Sequence, residues 1–142
     1  MSGELLFSIV TWAMVPLWLL LAVLPNAAIT RILVHSVAPP LALGLLYAWL
    51  YHMVPGHSVN FTSLEGVRQT FQNENMLLAG WVHYLVFDLF VGAWIVRNAR
   101  RREIWYPLVV PCLFLTFLMG PVGLLVYLVL RATRDPDWFR LG

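Results

Sequence analysis

The sequence predicts an all-α integral membrane protein, a four-helix up-down bundle in a single domain spanning residues 1–142. Three observations carry that expectation. The 142 residues are 61% hydrophobic and 11% charged, with a mean hydropathy of +0.77, whereas soluble domains are about a quarter charged. Four apolar stretches each reach the roughly 20 residues that a membrane-spanning helix needs. Two of the three connections between them are only a few residues long, which places neighbouring helices antiparallel.

The first stretch runs from about residue 5 to 24 and ends at Pro25-Asn26. The second, about 29–54, is interrupted by Pro39-Pro40. The third, about 77–96, stops at Asn98 and the arginines at 100–102, and the fourth, about 106–130, stops at Arg131. The fourth also carries Gly120-Pro121-Val122-Gly123. Helix breakers at membrane depth free backbone carbonyls that must be buried in protein or line a cavity. These two breaks therefore read either as packing kinks or as a widened central cavity. The one long connection, residues 55–76, holds a candidate short amphipathic helix at 63–71, capped by Thr62 or Ser63. Its Leu64, Val67 and Phe71 recur at three- and four-residue spacings, as on a helix lying at the membrane interface.

All nine basic residues are arginine and gather at segment ends, as membrane anchors do. With a net charge of only +2, nothing points to a nucleic-acid partner. The single cysteine, Cys112, excludes an intrachain disulfide. An acidic residue precedes the first apolar stretch, unlike a standard signal peptide, so that stretch is expected to be retained. For orientation, Arg31, Arg97 and Arg100–Arg102 stand against Arg68, Arg131, Arg134 and Arg140. This bias favours both termini on the non-cytoplasmic side.

Two titratable residues sit inside the third stretch. Asp88 lies roughly 17 Å along the helix from Leu77, near mid-membrane. A charge there is unfavourable by at least a few kcal/mol, so an intramembrane carboxyl marks a functional candidate. It reads as a proton donor or acceptor, or as a carboxyl bonded to a neighbouring helix. Trp81, Tyr84, Gly92 and Ile95 share its face. His83 points about 140° away and shares its face with Phe87, Phe90 and Trp94. With polar groups on two faces, the third helix is expected to be surrounded by the other three. His35 and His52 fall about 25 Å apart on a continuous helix, against a four-histidine metal site. A smaller set among His52, His57, Glu65, Glu74 and His83 stays open, but no pair has a helical chelate spacing, and no metal or cofactor is expected. The aromatics, Tyr47, Trp81, Tyr84 and Phe87 among them, suit an interfacial belt or a long conjugated ligand.

The segments MVPLWLLLAVLPNAAITR (14–31), GLLYAWL (44–50), LEGVRQTFQNEN (64–75), AGWVHYLVFDLF (79–90) and PCLFLTFLMGPVGLL (111–125) together resemble the abscisic-acid-deficient-four-like family of small four-helix membrane proteins. Asn26, Tyr47, Glu74, Trp81, His83 and Asp88 match the family pattern; His35, His52 and His57 do not. The resemblance implies a step like that of the plant member, which is required to make neoxanthin from violaxanthin. In that isomerisation an epoxide opens and an allene forms, which needs one base and one acid at minimum. The matching titratable residues are His83, Asp88 and Glu74, so the resemblance places the catalytic roles among them.

The resulting expectation is a carotenoid- or isoprenoid-modifying, isomerase-like membrane protein. Trp81, Tyr84, Phe87 and Tyr47 line the ligand cavity, and Asn26 supplies a polar contact. The alternative is a non-catalytic protein that binds a carotenoid or assists an assembly. The expected partners are a hydrophobic small molecule such as a carotenoid and the lipid bilayer, with a homo-oligomer or a biosynthetic partner enzyme left open. All-arginine usage and compactness fit a bacterial member residing in the inner membrane.

Overall fold

The computed structural model describes residues 2–54, 59–134 and Phe139, so His57 and Arg140 lie outside the described residues. Every regular element among these is helical: α1 (Gly3–Val23), α2 (Ala28–Leu33), α3 (Ala38–His52), α4 (Leu64–Thr70), α5 (Glu74–Arg101), α6 (Tyr106–Met119) and α7 (Pro121–Ala132). By length and composition, three stretches can cross a membrane: Gly3–Val23, Ala28–His52 and Glu74–Arg101.

The second of these is broken between Leu33 and Ala38. Pro39 and Pro40 stand in the first turn of α3, where their missing N–H groups have no intrahelical partner to lose. A helix running straight through them would forfeit those hydrogen bonds, so the chain restarts there instead.

The chain divides into two compact units, and the boundary falls inside α1 and inside α5. The first comprises Met1–Val15 and Val37–Val86. Here α4 forms the expected short helix. The Ser63 hydroxyl accepts from the Gly66 N–H at 3.0 Å, capping its start. The Asn60 N–H donates to Thr70 Oγ1 at 3.0 Å, closing the loop around the helix. Asn73 then opens α5, its Oδ1 accepting from the Met76 N–H at 3.2 Å.

The second unit comprises Pro16–Ser36 and Phe87–Gly142, and it departs from the expected bundle. The fourth apolar stretch is not one helix over 106–130. It is two helices of 14 and 12 residues, about 21 and 18 Å long, each short of a hydrocarbon core about 30 Å thick. The joint is Gly120, at φ +32° and ψ −90°, a conformation that glycine reaches without a Cβ clash. The chain reverses there. A Cβ on Gly123 would overlap the backbone of Thr116, although seven residues span about 10 Å along a continuous helix. Tyr127 on the returning arm donates to Asn98 Oδ1 at 2.7 Å and meets Trp94 edge-on, ring centroids 5.8 Å apart. Arg131 comes within electrostatic range of Arg102. So α6 and α7 form a helical hairpin whose open end lies at the C-terminal end of α5. Its base is tied to α1 by the Tyr106 hydroxyl, which donates to the Leu21 carbonyl at 2.6 Å.

Candidate functional site

In the first unit, a cavity of about 530 Å³ opens at the start of α5, lined by residues that include Glu4, Phe7, Phe71, Glu74, Leu77 and Trp81. Its walls follow from local sequence. Glu4 and Phe7 are three residues apart and therefore share a face of α1. Glu74 is the first residue of α5, where a carboxylate complements the helix dipole. Glu74 and Trp81, seven residues apart, lie on one side of that helix. Glycine makes room at two points: a Cβ on Gly3 would overlap Glu74 Oε1, and one on Gly80 would press into the Phe71 ring.

Trp81 is held on both sides. Its indole N–H donates to Thr11 Oγ1 at 2.9 Å, and its ring lies 5.3 Å from Phe7 and 5.3 Å from Tyr84. A second cavity of about 370 Å³ lies beside Ser2, Trp49, Leu50 and Asn75, and Glu74 lines it as well. The Glu74 carboxylate thus borders two cavities, one largely apolar and aromatic.

Of the residues expected at a site, the structure brings Glu74 and Trp81 to one cavity, with Tyr84 stacked behind. His83 does not line it. His83 is exposed, its ring 6.1 Å from Tyr47, which in turn stacks on Tyr51 at 6.2 Å. Phe87 and Phe90 on the same helical face are more than half exposed. Asp88 is half-buried, on the side of α5 where Gly92 and Ile95 are buried. It belongs to the second unit, at the tip of the α6–α7 hairpin, where a Cβ on Gly120 would lie 2.6 Å from its Oδ1. Asn26 also belongs to that unit, accepting from Arg100 at 3.2 Å.

His52 lines a separate small cavity of about 260 Å³ with Tyr51 and Val59. Among the described residues, no three His, Cys, Asp or Glu side chains stand close enough to hold a metal. Sequence reasoning missed Glu4, Phe7 and Phe71 as cavity residues. Glu4 had read only as a charged flank of an apolar run, although its three-residue spacing to Phe7 was the available signal.

The family model described as ABA DEFICIENT 4-like matches residues 5–127, a span that contains Phe7, Glu74, Trp81, His83 and Asp88. The Arabidopsis thaliana protein named Protein ABA DEFICIENT 4, chloroplastic, is 28% identical over 135 residues, covering 89% of this chain and 60% of the plant protein. The chain therefore spans only about 60% of the length of that curated relative. No solved structure matches. By a match that covers most of its length and contains the whole of α5, this chain belongs to the ABA DEFICIENT 4-like family.

Proposed function

We propose that this chain binds a carotenoid or related isoprenoid within the bilayer and acts on it by proton transfer, as an isomerase-like membrane protein. Family membership supports the carotenoid-related role. The single observation that carries the site is the Glu74 carboxyl in the wall of an aromatic cavity of about 530 Å³. That volume lies within the range of small-molecule sites, which are mostly apolar with a few placed polar groups. An end group and its adjoining polyene would lie against Phe7, Phe71 and Trp81. An isomerisation needs one group to take a proton and one to deliver it. Glu74 and Glu4, on the same cavity, are a candidate pair. His83 and Asp88 keep their candidacy from the family pattern, and Asp88 has a second duty at the hairpin tip.

The alternative, a non-catalytic carotenoid binder or assembly partner, draws on the exposed His83–Phe87–Phe90 face. An open aromatic face suits contact with lipid or with another protein.

Co-expression in carotenoid-producing cells, followed by chromatography with absorbance and mass detection, tests the reading. The expected result is a new pigment that disappears with Glu74→Gln, while unchanged pigment still co-purifies. Full product formation by Glu74→Gln overturns the catalytic assignment of this cavity. Co-purified pigment without product from the unmodified chain selects the binder.

A further inference from the structure

We infer that the C-terminal end of α5, together with the base of the α6–α7 hairpin, is a docking surface for the headgroups of anionic phospholipids. Because the hairpin reverses at Gly120, the chain does not leave on the side opposite the α5 terminus. It brings Arg134 back to the end that already carries Arg97, Arg100, Arg101 and Arg102; Arg131 returns to the same end, within electrostatic range of Arg102, but is fully buried and offers no headgroup contact. Arg31 stands on α2, whose flanking residues reach the same end: Asn26 accepts from Arg100 at 3.2 Å, and His35 lies 3.1 Å from Arg97. Seven of the eight arginines among the described residues therefore belong to this end of one unit, six of them, all but Arg131, at least partly exposed, with Glu103 as its described acidic residue.

The partners of two of these arginines matter. A guanidinium can only donate, so His35 Nδ1 must accept from Arg97 and carries no proton there. Asn26 Oδ1 is likewise a neutral acceptor for Arg100. Both contacts orient a guanidinium without neutralising it. Two neighbouring guanidinium groups held by neutral partners favour an anion, and the planar guanidinium fork suits phosphate oxygens.

Its position selects lipid over a free anion. The arginines stand where apolar helices end, and exposed Trp105 and half-buried Tyr106 follow directly, the residue types that sit at headgroup level. Basic side chains at that depth are drawn to the leaflet richer in anionic lipid. This inference is independent of the carotenoid reading.

Native mass spectrometry of the full chain in detergent, titrated with phosphatidylglycerol or phosphatidylcholine, tests it. Selective retention of phosphatidylglycerol that weakens as salt rises is expected. Each arginine is worth roughly fivefold, so Arg101→Gln should lose about that and Arg97→Gln/Arg100→Gln/Arg101→Gln about a hundredfold. Arg68→Gln, on α4, should change nothing. If circular dichroism shows the triple variant unfolded, Arg101→Gln and the salt dependence decide. Equal retention of the two lipids, the same loss in Arg68→Gln as in Arg101→Gln, or displacement of the lipid by inorganic phosphate at matched concentration overturns the inference.

Discussion

The Asp88 carboxylate lies against the backbone of Gly120, where an added Cβ would stand 2.6 Å from Asp88 Oδ1. This relationship seats the hairpin tip on α5. Just beyond it α7 begins, and a carboxylate near a helix N-terminus meets the positive end of the helix dipole. Gly120→Ala therefore combines backbone strain at φ +32° with a side-chain clash. A destabilisation of about 2 kcal/mol is expected from strain of this kind. Asp88→Ala should relieve the part due to the clash, so unfolding in detergent should show a less-than-additive double-mutant cycle. Strict additivity would separate the two residues.

A second prediction contrasts two glycines. Gly123 packs on the Thr116 backbone, whereas nothing lies within 4 Å of a Cβ built at Gly44. Gly123→Ala must push backbone apart and should destabilise the hairpin by at least 1–3 kcal/mol, roughly the range for overpacking. Gly44→Ala, in the middle of α3, should stabilise by about 0.5–1 kcal/mol through the helix preference of alanine. Thermal unfolding of the two variants checks both signs. Equal effects would mean that the hairpin is not closely packed at Gly123.

The contrast shows which features were legible in the sequence. Pro39-Pro40 and Ser63 act locally, and the structure uses them as their chemistry dictates, one opening a helix and the other capping one. Spacing put Asp88 on one face with Gly92 and Ile95, but only the structure shows that those two neighbours are buried. The reversal at Gly120 was not legible, because Gly-Pro permits a kink or a turn equally. Contacts far apart in sequence accompany the choice, such as Tyr127 with Asn98. Periodicity likewise put His83, Phe87 and Phe90 on one face without telling what covers it.

Tyr127 and Asn98 are both buried, and their hydrogen bond of 2.7 Å ties the returning arm of the hairpin to α5. Tyr127→Phe leaves the Asn98 oxygen without this donor, so a loss of about 1–3 kcal/mol is expected. Asn98→Ala should be similar, and adding Tyr127→Phe to it should lose little more. Unfolding of the two single variants and the double variant measures the coupling. A cycle with no interaction energy would assign the hairpin's position to packing alone.

Trp81 separates fold from ligand in the last prediction. Its indole N–H is held by Thr11 at 2.9 Å, while its ring forms a wall of the cavity of about 530 Å³. Trp81→Phe removes the hydrogen bond and keeps an aromatic wall, so stability should fall by about 1 kcal/mol with pigment still retained. Trp81→Ala removes both, and pigment retention should fall with stability. Thr11→Val takes away the acceptor and leaves the indole N–H unsatisfied, so it should destabilise at least as much as Trp81→Phe without touching the wall. Unfolding measured beside pigment absorbance on the same purified samples resolves the two effects. If Trp81→Phe releases pigment as completely as Trp81→Ala, the wall is not what holds the ligand, and the site must be sought elsewhere along α5.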